Sequence, residues 1–95
     1  MSSSPQPLGK IIKEVLEELG LAADIDRVRA VEAWMEIAGP QIAAVTERAW
    51  VAHNTLFVRI SSPVWRQELH LSRRQWCKRL NEHLGKDIIE QIVFR

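Results

Sequence analysis

Five cationic side chains crowd one short stretch of this sequence. Arg66, Arg73, Arg74, Lys78 and Arg79 fall within fourteen residues and meet one acidic residue there, Glu68. On a helix, Arg66 shares a face with His70, and Arg74 with Lys78, because residues four apart are neighbours. Such a surface attracts phosphates through charge and counterion release. Arg59 adds to it if the outer face of its strand lies near. The plainer reading is a solvated helix face. Trp50 sits in an alternating run, and its face depends on a strand register that local pattern does not set. It suits either core packing or stacking against a base or a partner. Glu14, Glu17 and Glu18 line the polar side of an amphipathic stretch. Their charge suits a basic protein patch better than a polyanion.

Other chemistry finds little support. His53, His70 and His83 include no pair at the three- or four-residue spacing of a helical metal site. They read as surface histidines. Cys77, the single cysteine, lies on an apolar helical phase, which suits a structural thiol better than a reactive thiolate. One cysteine excludes an internal disulfide and a four-cysteine zinc site. Gly9, Gly20, Gly39 and Gly85 are too far apart for a phosphate-cradling loop. The expectation is a non-enzyme with no catalytic residues, no cofactor, no metal and no small-molecule substrate.

The chain has 95 residues, enough for one core and not two. Its net charge of +1 hides an asymmetry. Residues 1–47 carry four basic and eight acidic side chains, a balance of −4; residues 48–95 carry nine and four, a balance of +5. Opposed halves point to an interaction surface. No run reaches the roughly 18 apolar residues that cross a bilayer. Residues 1–7, Met-Ser-Ser-Ser-Pro-Gln-Pro, lack the charged and apolar regions of a signal peptide and read as a flexible lead-in. Reducing cytoplasm is the expected compartment, with no membrane partner.

The elements that must position these residues follow from periodicity. Leu8, Ile11, Ile12, Val15, Leu16 and Leu19 make a full helical stripe, with Gly20 as its stop. A second helix begins near Asp24 or Asp26, both good N-caps. Val28, Val31, Trp34, Met35 and Ala38 form its apolar face, and Gly39-Pro40 ends or bends it. Gln41 to Val45 adds a turn. Period two then takes over in Arg48–His53 and Thr55–Ile60. Leu56, Val58 and Ile60 share one side of the second run, Phe57 and Arg59 the other. Asn54, which tolerates a left-handed backbone, turns this hairpin. Ser62-Pro63 opens a helical stretch that reaches Leu84, with Gly85 as its stop. Its apolar phase slips at Leu71–Ser72, and Ser72-Arg73-Arg74-Gln75 fits a capping box, so the stretch breaks there. Trp34, Trp65 and Trp76 fall on apolar phases and read as core. Ile88–Arg95 is the last strand, with Ile88, Ile92 and Phe94 on one side and Ile89 and Val93 on the other. The expected fold is α+β, in the order α-α-β-β-α-α-β. Helices cover one face of a three-stranded sheet and leave the other open to a partner or a second copy.

Several fragments resemble one family in order and spacing. They are Trp34-x-x-Ile37-x-Gly39, Asn54-Thr55-Leu56-x-Val58, Ser61-Ser62-x-x-Trp65-x-x-Glu68-Leu69, Leu80-Asn81-x-x-Leu84-Gly85 and Ile92-x-Phe94-Arg95. Together they resemble the DciA-type loaders or operators of the bacterial replicative helicase, over nearly the whole chain from about residue 8. The resemblance implies one KH-like domain over residues 8–95, and the order strand, helix, helix, strand suits that fold. It implies a replication accessory that helps a DnaB-type helicase onto single-stranded DNA without hydrolysing ATP. Partners would be single-stranded or duplex DNA and the helicase. Arg59, Arg66, Arg73, Arg74, Lys78 and Arg79 would meet DNA; Glu14, Glu17, Glu18 and Trp50 would meet the partner protein. Alternatives are a KH-like RNA-binding module with a ribosomal or processing role, and a pure protein-interaction module. KH domains grip backbone through a GxxG loop between paired helices. Here His70-Leu71-Ser72-Arg73-Arg74 stands in that place without glycine, so Arg73 and Arg74 would supply the grip by charge. Many relatives extend beyond the domain. This sequence ends on its last strand, which places the expected contacts on the folded surface.

Overall fold

The computed structural model describes residues 22–95. The helix expected over Leu8–Leu19, with Glu14, Glu17 and Glu18, and the lead-in 1–7 lie outside the described residues. Helix α1 spans Ala22–Val45 and is bent at Gly39, whose φ of 83° and ψ of 172° suit glycine alone. Pro40 then restarts the helix where a missing N–H costs nothing. Thr46 donates its hydroxyl to the Ile42 carbonyl (2.9 Å) as the chain leaves.

The buried face of α1 overlaps the expected one at Trp34, with Val31 and Ala38 packed against the core, but departs from it at Val28 and Met35. Ala30, Ala33, Trp34 and Ile42 are buried, whereas Val28 is 58% and Met35 40% exposed. The apolar residues of the helix run wider than one stripe, and the core takes the side with small residues. Alanine lets a neighbouring helix approach, and Trp34 fills the space between.

Strand β1 is Thr46–Ala52, two residues earlier than expected, and β2 is Thr55–Ile60, as expected. A two-residue loop joins them. His53 adopts the left-handed backbone (φ 57°), not Asn54. Asn54 instead holds the far edge: its carbonyl accepts from Glu90 N (2.8 Å) and its Nδ2 donates to Glu90 Oε1 (3.3 Å).

Helix α2 spans Pro63–Leu71 and α3 spans Arg73–Leu84, so the break falls where the phase slips. Ser62 caps α2, accepting from Trp65 N at 3.3 Å. The capping box at Ser72 does not form. Its hydroxyl donates backwards, to Glu68 O (3.1 Å) and Leu69 O (3.4 Å), and so closes α2 rather than opening α3. Gly85 (φ 80°) ends α3 in the left-handed conformation.

Strand β3 is shorter than expected, Gln91–Phe94. Ile88–Glu90 forms a loop, so the alternation predicted through Ile88 and Ile89 fails there: Ile89 is buried and Ile88 half-buried. Backbone pairing continues past Phe94, because Arg95 N donates to Val58 O (2.8 Å) and Ile60 N to Arg95 O (2.7 Å).

The sheet order is β1-β2-β3, with β1 antiparallel and β3 parallel to the central β2. Leu56, Val58, Ile60, Ile92 and Phe94 join Trp34, Leu69, Leu80 and Leu84 in one core. Trp34 meets Trp76 edge-on at 5.3 Å and Phe94 at 5.4 Å. The three described helices therefore pack on one sheet face, an α+β fold. No described helix is long and apolar enough to cross a membrane.

Candidate nucleic-acid interface

The sheet face away from this core carries the distinctive chemistry. Leu56, Val58 and Ile60 point inward, so pleating sends Thr55, Phe57 and Arg59 outward. Register then decides what stands beside them. Arg48 pairs with Arg59, Trp50 with Phe57 and Ala52 with Thr55. On the other side Val93 pairs with Phe57 and Gln91 with Thr55, and the pairing carries on to Arg95 beside Arg59. The face thus bears a row of three arginines, Arg48, Arg59 and Arg95. Next to it runs an apolar row, Trp50, Phe57 and Val93.

The rows interlock. Trp50 and Phe57 stack at 5.4 Å with their planes 12° apart. The Arg48 guanidinium lies 5.0 Å from the Trp50 ring centre, and that of Arg95 4.7 Å from Phe57. β1 is irregular between Thr46 and Arg48, a bulge that inserts Glu47. The Glu47 carboxylate reaches Arg59 Nε at 3.3 Å, with both side chains largely exposed. A recess of about 490 Å³ opens at this end of the sheet, and Arg59, Arg66 and Arg95 line it with Trp50 and Glu47. Three cations and one anion leave it a formal charge of +2. Arg66 is anchored there: one guanidinium NH₂ donates to Ile60 O at 3.0 Å, while its buried Nε has no partner.

The six cations expected at a phosphate surface therefore divide. Arg59 and Arg66 share the recess. Arg73, Arg74, Lys78 and Arg79 belong to α3, in the helical layer on the opposite side of the sheet. Arg73 spends its guanidinium on the His70 carbonyl (2.9 Å), closing α2. Arg79 lies 4.4 Å over the ring of Trp76. Arg74 and Lys78 are exposed. Among the described residues no carboxylate pairs with any of these four. Trp50 is half-buried on the sheet face away from the described helices, outside the core that holds Trp34 and against which Trp65 and Trp76 pack.

Arg48, Phe57 and Arg95 were not singled out from sequence. The phase of Phe57 with Arg59 was legible in the alternation. The alignment of Arg48, Arg59 and Arg95 was not, because it joins three strands through register.

His53, His70 and His83 are exposed, and His83 Nε2 lies 2.7 Å from Glu36 Oε2 across the α1–α3 seam. Cys77 donates its thiol to Ile89 O (3.3 Å); burial, with the Asp87 charge adding, pushes its pKa up. A raised pKa keeps it a thiol, which is a poor nucleophile. Among the described residues no three His, Cys, Asp or Glu side chains converge on a metal site.

Comparison with known proteins gives the family. The UPF0232 proteins of Mycobacterium tuberculosis (strain H37Rv) and Mycobacterium leprae (strain TN) are each 24% identical to this chain over 88 residues. Those alignments cover 93% of this chain and 47% of each relative, so the chain spans about half their length. The family model described as "Dna[CI] antecedent, DciA" matches residues 7–94. A match over nearly the whole chain makes the protein a member of the DciA family.

Proposed function

We propose that this protein is a non-enzymatic replication accessory that helps place a DnaB-type replicative helicase on DNA. Family membership supports the helicase role. The observation that carries the DNA contact is the row Arg48, Arg59 and Arg95 on the sheet face that no described helix packs against. Guanidinium forks recognise phosphate oxygens and stay charged at any working pH. The anchored Arg66 extends the row into the recess. Arg74 and Lys78 on α3 make a second, weaker phosphate contact in this reading, since both are exposed.

The test is binding of labelled DNA across a salt series. Each phosphate neutralised adds about 0.7 to the slope of log affinity against log salt on single strands, and about 0.9 on duplex. Replacing Arg48, Arg59 and Arg95 by glutamine should flatten that slope by about 2 to 3. An unchanged slope and affinity would reject the sheet face as the contact. The helicase role is tested by adding the protein to purified replicative helicase and closed circular single-stranded DNA. More helicase on the circle supports it; no increase from the wild type rejects it. Recovery of ribosomal components rather than helicase from a host lysate would favour an RNA-binding module instead.

A further inference from the structure

The arginine row also lies against rings, and that says more about the ligand than charge does. Trp50 and Phe57 form a nearly parallel pair, and a guanidinium covers each of them, Arg48 on Trp50 and Arg95 on Phe57. We infer that this face is a seat for single-stranded DNA in which the two arginines are exchangeable covers. A base takes the place of a guanidinium on the aromatic pair, and the freed guanidinium swings to the adjoining phosphate. The inference rests on the reading that the sheet face meets DNA, and it adds what the strand must be.

Three arguments carry it. The first is relative strength. An exposed cation–π contact is worth about 2- to 5-fold in affinity. A base stacked on an aromatic ring is worth roughly 5- to 150-fold. The exchange runs toward the base, and the displaced cation gains a charged acceptor it lacked.

The second is spacing. Residues two apart on a strand stand about 6.6 Å apart on the same face. The arginine row and the aromatic row are neighbours at that interval, comparable to the reach from a nucleobase to its own phosphate. Arg59 does not cover a ring; Glu47 holds it at 3.3 Å, midway along the row. It serves as the fixed cation while Arg48 and Arg95 move.

The third is selectivity. Bases in a duplex are already stacked and paired, so their faces cannot reach Trp50 or Phe57. A duplex meets only the arginines. A single strand meets both rows.

The experiment uses fluorescence anisotropy with a labelled oligothymidylate, an oligouridylate of equal length and a duplex. The variant is the pair Trp50→Leu and Phe57→Leu. Both residues lie outside the core cluster, so the fold should survive, and circular dichroism and a thermal melt check it. The wild type should bind oligothymidylate more tightly than duplex. The double variant should lose at least 5-fold on the single strand and less than 2-fold on duplex. Wild-type tryptophan fluorescence should quench on adding the single strand, and Trp50→Leu alone should abolish most of that change. Equal losses on both DNAs, or no loss on either, would overturn the seat while leaving the arginine contact standing. Tighter binding of oligouridylate than oligothymidylate would assign the seat to RNA and overturn the DNA assignment. No binding by the wild type at low salt would overturn both.

Discussion

Replacing Asn81 with alanine should destabilise the protein out of proportion to the few atoms removed. Asn81 sits in the last turns of α3, and its amide holds the loop that delivers β3. Oδ1 accepts from Ile88 N (3.1 Å) and Ile89 N (3.0 Å), and Nδ2 donates to Ile89 O (2.7 Å). These three bonds are not equally exposed to loss. Ile88 N also lies 3.1 Å from Lys86 O, and Ile89 O also accepts the Cys77 thiol at 3.3 Å. Among the described residues Ile89 N has no second partner, and its residue is 2% exposed. The variant therefore orphans one buried donor and weakens two other pairings. An orphaned donor costs about 1–3 kcal/mol, and an ordinary lost bond about 1 kcal/mol. The expected loss is about 2–4 kcal/mol, a drop in Tm of roughly 10–25 °C for a domain of this size. Urea unfolding followed by circular dichroism measures it, with the m-value checking that the unfolded reference is unchanged. Asn81→Asp keeps both acceptor bonds but turns the 2.7 Å donation to Ile89 O into a contact between two acceptors, so it should destabilise as well. A loss below about 0.5 kcal/mol for Asn81→Ala would refute the reasoning, because solvent would then be serving Ile89 N.

The remaining expectations use the same logic. A Cβ added at Gly39 or Gly85 meets nothing within 4 Å, so substitution there isolates the backbone. Gly39→Ala should cost about 2–3 kcal/mol and Gly85→Ala about 1–2 kcal/mol, because φ 83° with ψ 172° is open essentially to glycine only; equal losses in urea titrations would contradict this. Glu47→Gln should barely alter stability, since its ion pair with Arg59 is exposed, yet raise DNA affinity about 2- to 5-fold at low salt by unmasking the arginine row. Unchanged or weaker binding would count against the row as the contact. Iodoacetamide should modify Cys77 slowly in the folded protein and quickly in urea. Its raised pKa gives stability that is full below the unfolded thiol's value of about 8.5 and lost as pH climbs through the folded one. The alkaline decline should shrink in Cys77→Ser.

Local chemistry wrote much of this fold openly. The alternation of Leu56, Val58 and Ile60 against Phe57 and Arg59 is a property of the pleat, so β2 and its two faces were readable. Ser62-Pro63, the phase slip at Leu71–Ser72 and Gly85 act within one helical turn, which made both paired helices legible. The DciA resemblance was carried by short spaced fragments, and Asn81, one of their members, turns out to be the bracket of the loop before β3. What failed was choice among equivalents. The apolar residues of α1 run wider than one stripe: Trp34 was legible, but only packing against α3 selects Ala30 and Ala33 beside it over Val28 and Met35. Ser72 can serve the helix on either side, and it serves α2. Ile88 and Ile89 lost their alternation because Asn81 holds them as a loop. The positive charge of the second half was evident from composition, but its most organised part was not. Arg48, Arg59 and Arg95 are joined by an antiparallel register shifted by a bulge and by a parallel pairing across some thirty-five residues. Those alignments are set by long-range hydrogen bonding and core burial, and no local pattern encodes them.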